Sequence, residues 1–280
     1  MIVYRTKSGL SEHLNSLKKE GKTVGLVPTM GALHRGHASL VEKARDENDI
    51  VVVSIFVNPT QFNDPSDLDS YPRMLDRDLQ LLGQLKTDLV FVPSVEEMYP
   101  EADERTFDLG GLDTVMEGLH RKGHFNGVAR IVSKLFVLVH PHRSYFGQKD
   151  FQQLVIIRRL VEIMDLDIII VACPIIREKD GLAMSSRNVR LNKEERKIAP
   201  LIHKTLVEAK AKMADLSPAQ VKEWIIHQFD MQPAMDLEYI EIVEDEGLTP
   251  IDAWDPEVNK VACLAVHLGE VRLIDNLIFD

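Results

Sequence analysis

Short apolar runs alternate with helix-like patterns through the first two thirds of this 280-residue chain. The run over residues 51–57 is apolar at all but one position, which is typical of a strand buried on both faces of a parallel sheet. Strands that alternate with helices predict a doubly wound α/β domain, which binds ligands at the carboxyl ends of its strands. The predicted strands are 24–27, 50–57, 89–92, 144–146 and 167–172, and the predicted helices are 39–47, 73–85, 128–139 and 151–164.

The pattern changes after about residue 176, where a polar loop leads into helices and then into three strands. Ser217 is suited to cap the second of these helices. Helices followed by antiparallel strands suit a small α+β domain, so we expect one domain over residues 1–176 and a smaller one over residues 177–280. The predicted helices are 193–213 and 218–229, and the predicted strands are 237–243, 260–267 and 271–279.

Composition narrows the class of protein. The chain is 45% hydrophobic and 28% charged, as in an ordinary globular protein, and its net charge of −11 argues against a nucleic-acid partner. No apolar run reaches membrane-spanning length and no secretory signal opens the chain, so we expect a cytoplasmic protein with no membrane partner. Cys173 and Cys263 each lie in an apolar run, which favours buried structural thiols.

Residues 28–37 carry the strongest chemical signal, because they join a predicted strand to a predicted helix through a turn that contains glycine. Unpaired backbone N–H groups and the helix dipole favour an anion at such a turn. His34 and His37, three positions apart, can lie side by side and direct ring N–H groups at a phosphate. The turn therefore predicts a nucleotide site. Two alternatives remain, a metal pair and two surface histidines, although no Cys or nearby Glu completes a ligand set.

Polar residues also follow two further predicted strands. Gln61 lies in the loop after the strand that ends at Val57, although its Asn-Pro sequence is ordinary turn chemistry. After the strand at 144–146, Gly147 permits close approach of the backbone, and Lys149 offers a charge to a phosphate. Asp150 could accept hydrogen bonds from ribose, and Gln153, one turn into the helix, faces the same opening. The alternative is a solvated helix start that Asp150 caps.

The last cluster lies in the loop at the predicted domain boundary. Ser185, Ser186 and Arg187 offer two hydroxyls and a guanidinium in succession, which can surround phosphate oxygens. Their position beside a hinge suggests a mobile phosphate-binding lid, and the alternative is a polar linker.

Taken together, these clusters closely resemble the pantoate–β-alanine ligase family, and the resemblance runs from about residue 24 to residue 276. The order and spacing of the motifs are specific to this family. They read PTMGALHRGH at 28–37, VSIFVNPTQF at 53–62, GHFNGV at 123–128, YFGQKDFQQ at 145–153, DGLAMSSRN at 180–188 and RLIDN at 272–276.

The resemblance implies ATP-dependent joining of (R)-pantoate and β-alanine through a pantoyl adenylate. The products would be pantothenate, AMP and diphosphate, and Mg²⁺ would be the cofactor, with its protein ligands left open. It also implies a homodimer whose chains have a Rossmann-like N-terminal domain and a smaller C-terminal lid domain.

The resemblance further assigns roles to residues that match the family's motifs. Gln61 and Gln153 would hold pantoate, His37 matches the proton donor, and His34, Lys149 and Arg187 would stabilise charge during catalysis. The residues that would contact ATP are Met30, Gly31, Ala32, Leu33, His34, Arg35, Gly36, His37, Gly147, Gln148, Lys149, Asp150, Ile176, Met184, Ser185, Ser186 and Arg187.

The chain departs from the family's usual pattern at three positions. Asn126 stands where Arg is frequent, Lys122 where Pro is common, and Gln148 where Glu is often found. Asn126 cannot replace a cation, although Arg121 and Lys122 are close in sequence. Two rivals remain: another nucleotidyltransferase with the His-x-Gly-His motif, such as a tRNA-charging fragment, and a catalytically silent regulator that binds a nucleotide.

Overall fold

The computed structural model describes residues 1–280 and contains two sheets. All six strands of the larger sheet are parallel, in the order β1-β4-β3-β2-β5-β6. The chain winds outward from β2 in one direction and from β5 in the other, which is the doubly wound α/β fold that the sequence predicts. These strands are β1 (Ile2–Tyr4), β2 (Val24–Thr29), β3 (Ile50–Ile55), β4 (Leu89–Phe91), β5 (Arg143–Gly147) and β6 (Ile169–Cys173).

Eleven α-helices surround the two sheets. Most of the predicted helices are present with slightly different bounds. The helices are α1 (Lys7–Lys19), α2 (Arg35–Glu47), α3 (Pro65–Ser70), α4 (Leu75–Gln84), α5 (Val95–Met98), α6 (Met116–His120), α7 (His124–Val139), α8 (Phe151–Ile163), α9 (Lys193–Ile198), α10 (Leu201–Ala211) and α11 (Pro218–Asp230).

One predicted helix is wrong. The single helix expected over residues 193–213 is divided into α9 and α10, with Ala199 and Pro200 between them. Pro200 has no backbone N–H to continue the hydrogen-bond ladder, so the helix is interrupted there. Ser217 does cap α11, because its hydroxyl accepts a hydrogen bond from the backbone N–H of Gln220.

The smaller sheet is antiparallel, as expected, and consists of β7 (Met235–Glu244), β8 (Lys260–Leu268) and β9 (Val271–Ile278). Its own core includes Leu206 of α10, Ile225 of α11 and Leu264 of β8. The larger sheet buries a separate core against α7 and neighbouring helices. The smaller sheet therefore packs against α10 and α11, which come before it in the sequence, and the larger sheet packs against its own helices.

Strand β9 makes polar contacts with the segment after β6 and with helix α6. Asp275, which is 2% exposed, receives two hydrogen bonds from Arg177 at 2.6 and 2.9 Å. Arg272 donates to both carboxylate oxygens of Glu117 in α6. Buried charges are tolerated when they are paired in this way. These contacts seat the smaller sheet beside the carboxyl ends of the parallel strands.

Two further sequence predictions concern burial and membranes. Cys173 and Cys263 are both free and buried, as expected. Burial raises the pKa of the Cys173 thiol to about 11, so it is protonated at neutral pH. None of the helices combines the length and the apolar character that a membrane span requires.

Candidate active site

A cleft opens at the carboxyl ends of β2 and β5, where the winding direction of the sheet changes. Ligands bind at this point in doubly wound folds. Most of the residues that the sequence predicted for a site line this cleft. They are Met30, His34, Gly36, His37, Gln61, Gly147, Lys149, Asp150, Gln153, Ile176, Met184, Ser185, Ser186 and Arg187.

The β2–α2 turn fixes the tautomers of its two histidines. His34 is the N-cap of α2, and its Nδ1 accepts a hydrogen bond from the backbone N–H of Gly36 at 3.1 Å. The Nδ1 of His37 accepts from the backbone N–H of His34 at 3.3 Å. Both protons therefore lie on Nε2, and the ring centroids are 4.2 Å apart. The turn presents two adjacent N–H donors to the cleft.

Both histidine rings are neutral at neutral pH. Burial lowers the pKa of His34 to about 4, and the nearby charge of Lys149 acts in the same direction. Burial lowers the pKa of His37 to about 3, with His34 and Lys149 adding to the effect. The pair can donate hydrogen bonds to an anion, while Lys149 supplies the fixed positive charge. The metal-pair alternative finds no support, because no group of three or more His, Cys, Asp or Glu residues could hold a metal ion.

Close packing explains the glycines of this turn. A Cβ atom on Gly36 would lie 2.8 Å from Cε1 of His34, and Gly31 has a φ of +81°. The carboxylate of Asp78 accepts hydrogen bonds from the backbone N–H groups of Ala32 and Leu33 at 2.9 and 2.7 Å. Residues 31–33 thus form the buried base of the turn and do not line the cleft.

The loop between β5 and α8 places the cation of the site. The Nζ of Lys149 lies 4.0 Å from the Oδ1 of Asp150. Asp150 precedes α8 but its side chain accepts no capping hydrogen bond, so the carboxylate faces the cleft as a free acceptor. The side-chain amide of Asn276, in β9, donates to the backbone carbonyls of Gln148 and Lys149, both at 2.9 Å. The smaller sheet therefore holds the loop that carries Lys149.

Two glutamine side chains also line the cleft. The side chain of Gln61 is buried, accepts a hydrogen bond from Asn58 at 3.0 Å and contacts the sulfur of Met30 at 3.2 Å. Gln153 lines the same cavity from α8. Two neutral amides can hold the hydroxyls and carboxylate of a small acid without neutralising the carboxylate.

The loop at the predicted domain boundary also lines the cleft. Ser185 caps a short 3₁₀ helix over Ser186–Arg190, and its hydroxyl accepts from the backbone N–H of Arg187 at 3.2 Å. The guanidinium of Arg187 donates to Asp67 in α3 at 2.8 Å. This ion pair connects the loop to α3.

Two further predicted residues do not line the cleft. The side chain of Arg35 is 57% exposed and pairs with Glu42 on the outer surface of α2. The backbone N–H of Gln148 donates a hydrogen bond to the carbonyl of Cys173, and its carbonyl accepts one from the side chain of Asn276. Gln148 does not line the cleft.

Sequence reasoning missed several residues that shape the site. Asn58 bonds to Gln61, to the carbonyl of Gly127 and to Tyr99, and its signal was its position directly after a strand. Tyr71 lines the cleft but lies in a stretch without a recognisable pattern. Helix α7 contributes an apolar wall that periodicity identifies only as core: Val128, Ile131, Val132 and Leu135.

The fold and the cleft are those of an α/β enzyme with its ligand site at the carboxyl ends of parallel strands. A sequence model described as pantoate-beta-alanine ligase matches residues 2–278. Since that match spans nearly the whole chain, this protein belongs to the pantoate–β-alanine ligase family, as the sequence motifs predicted.

Individual relatives agree with this assignment. A pantothenate synthetase of Porphyromonas gingivalis is 51% identical over 280 residues and covers both chains completely. A pantothenate synthetase of Bacteroides fragilis is 53% identical over 277 residues, 99% of this chain and 98% of its own.

Solved structures agree as well. The pantothenate synthetase of Thermus thermophilus superposes with a TM-score of 0.92 at 43% identity, and 99% of each chain is covered. The ligase of Francisella tularensis, described as complexed with beta-gamma ATP and beta-alanine, has a TM-score of 0.81 at 36% identity. It covers 100% of this chain, and 98% of its own length is matched. The predicted fold class is confirmed by these likenesses.

Proposed function

We propose that this protein condenses (R)-pantoate with β-alanine at the expense of ATP and releases pantothenate, AMP and diphosphate. One observation carries the proposal: a single cleft is lined both by phosphate-type donors and by two glutamine amides. The donors are His34, His37 and Lys149, and the amides are those of Gln61 and Gln153. The complex described for the Francisella tularensis relative supports the same pair of ligands, ATP and β-alanine.

In the first half-reaction, a carboxylate oxygen of pantoate attacks the α-phosphorus of ATP. A new O–P bond forms, and the bond to diphosphate breaks, so diphosphate leaves with the electron pair. No enzyme nucleophile is needed. Gln61 and Gln153 orient the attacking carboxylate, while Lys149 and the Nε2–H donors of both histidines stabilise the charge that grows on the phosphate oxygens.

In the second half-reaction, the amine of β-alanine attacks the acyl carbon of pantoyl adenylate. A C–N bond forms, the C–O bond to AMP breaks, and the proton that the amine loses passes to solvent water. AMP leaves as an anion, which the same donors stabilise. Ser185, Ser186 and Arg187 cover the phosphates from the boundary loop, and a closed loop keeps water from the intermediate.

Magnesium belongs to this proposal as the cofactor. The ion prefers octahedral oxygen ligands and usually binds through substrate phosphates, waters and one or two carboxylates. Asp150 fits this role, because its uncapped carboxylate lines the cleft beside Lys149. When bound, the ion would neutralise charge on the triphosphate.

The remaining expectations concern assembly and location. We propose that residues 177–280 form a lid domain on residues 1–176, that two chains form a homodimer, and that the enzyme works in the cytoplasm. The parallel sheet has two edge strands, β1 and β6, where a second chain could pack, and Ile2 and Ile169 in them are 48% and 54% exposed. Light scattering after size exclusion measures the mass in solution, and a mass of one chain would contradict the dimer.

The overall reaction is tested by supplying ATP, magnesium, pantoate and β-alanine and identifying the products by mass spectrometry. We expect pantothenate and AMP in equal amounts, and neither when any substrate is omitted. ATP binding without turnover would instead favour a silent nucleotide-binding regulator.

A further inference from the structure

A second, smaller cavity adjoins the main cleft. It lies between the start of α7 and the antiparallel sheet, and it shares Lys149, Asp150 and Gln153 with the cleft. Arg121 and His124 line only the smaller cavity. A molecule bound in the cleft could therefore extend past Gln153 toward Arg121.

Arg121 has unused hydrogen-bond donors in this cavity. One of its Nη atoms donates to Nε2 of His124 at 3.2 Å, and its other N–H groups donate to no protein atom. The nearest carboxylate, that of Glu117, is 3.7 Å away. Glu117 already receives hydrogen bonds from Arg272 at 2.9 and 2.6 Å and from the hydroxyl of Tyr239 at 2.9 Å. Arg121 is thus a cation whose charge is not neutralised by a hydrogen-bonded partner.

His124 fixes the position of Arg121 relative to Gln61. The Nδ1–H of His124 donates to the backbone carbonyl of Gln61 at 2.7 Å, so Nε2 is the atom that accepts from Arg121. Burial lowers the pKa of His124 to about 4, and the charge of Arg121 acts in the same direction, which keeps this ring neutral. A short chain of hydrogen bonds therefore connects Arg121 to the residue proposed to hold pantoate.

The guanidinium of Arg121 is largely removed from water. Its side chain is only 20% exposed, and burial lowers its pKa, although the carboxylate of Glu117 acts in the opposite direction. Arginine nevertheless stays protonated in proteins, so a bound carboxylate would stabilise both charges. Asn126 does not serve this purpose: its side chain accepts from the backbone N–H of Phe107 at 2.8 Å and donates to Asp113 at 3.1 Å.

We infer that Arg121 binds the carboxylate of the amine substrate, β-alanine, in the smaller cavity. The amine end then points toward Gln153 and the acyl carbon in the main cleft, and His124 is a positioning residue for the guanidinium. The inference rests on the proposed function. With Arg121 in this role, the enzyme would select an amino acid over a simple amine although position 126 holds no cation.

Separate assays of the two half-reactions distinguish a role of Arg121 in binding β-alanine from a role in the whole reaction. Pantoate-dependent exchange of labelled diphosphate into ATP involves no β-alanine, so Arg121→Gln should leave its rate within about twofold of the unmodified protein. The KM for β-alanine should rise roughly 10- to 100-fold, as for loss of a charge-assisted hydrogen bond. Propylamine, which has no carboxylate, should react equally slowly with both proteins. Lys122→Gln removes a neighbouring exposed cation as the matched control and should change neither reaction, and Arg121→Lys should restore part of the affinity.

Each other outcome would contradict either the inference or the proposed function. An unchanged KM for β-alanine in folded Arg121→Gln would overturn the inference. Loss of the exchange reaction in that variant would also overturn it, because Arg121 would then act on adenylate formation. Failure of the unmodified protein to carry out either reaction would instead contradict the proposed function itself.

Discussion

The histidines of the β2–α2 turn act through the tautomer that the backbone imposes on them. Each Nδ1 accepts a backbone N–H, so each Nε2 carries the proton that a phosphate oxygen can accept. Burial holds both rings neutral, and neutral donors cost less to desolvate than imidazolium ions. Charge stabilisation thus divides between two neutral donors and one cation, Lys149.

Replacement of His37 by alanine removes one of these donors. We expect turnover to fall on the order of 10²-fold, in line with loss of one charge-stabilising hydrogen bond. The measurement is steady-state formation of AMP, with circular dichroism and ATP binding to confirm that the variant is folded. Turnover close to that of the unmodified protein would remove His37 from its proposed role.

His124 makes stability depend on pH. Its pKa falls from an ordinary value of 6.5 to about 4 in the folded protein because burial and Arg121 disfavour the charged ring. Below pH 6.5 the unfolded chain takes up this proton and the folded chain does not, so the free energy of unfolding decreases as the pH falls toward 4.

Urea unfolding of the unmodified protein and of His124→Gln tests this effect. Between pH 7 and pH 5 the free energy of unfolding should fall by about 2 kcal/mol more in the unmodified protein than in the variant. The amide of the variant can form hydrogen bonds to the same partners but does not titrate. Equal losses would show that His124 is not held neutral by its surroundings.

Helix α7 shows which parts of an element a sequence pattern reveals. Periodicity predicted a helix from residue 128, but α7 begins at His124. Gly123, with a φ of +81°, and Gly127 interrupt the apolar pattern and hide the first turn. A Cβ atom on Gly127 would lie 2.1 Å from the carbonyl oxygen of Thr60, so this glycine permits close contact between α7 and the loop that carries Gln61.

Gly127→Ala should therefore lower the free energy of unfolding by about 2–3 kcal/mol, as expected for overpacking. Gly83→Ala is a matched control, because Gly83 also lies in a helix and its added Cβ would meet only the terminal methyl of Met1 at 4.0 Å. That control should be neutral or more stable by up to about 1 kcal/mol. Chemical denaturation compares the two, and equal stability would contradict the close contact.

At the scale of the molecule, the site is assembled by contacts that no local pattern encodes. The strand–turn–helix units at residues 24–47 and 143–163 were predictable, because each depends on neighbouring residues. The ion pair of Arg187 with Asp67 joins positions 120 residues apart, and Asn276 reaches the loop of Lys149 from 127 residues away. Such pairings depend on how the two sheets pack, so periodicity and turn chemistry could not identify them.

The central claim is that the cleft forms a pantoyl adenylate from ATP and pantoate. Its most direct test is the exchange of labelled diphosphate into ATP, with magnesium and pantoate present and β-alanine absent. We predict exchange that requires pantoate, because adenylate formation is reversible and needs no amine. Absence of exchange and of pantothenate formation by folded protein with bound ATP would contradict the claim.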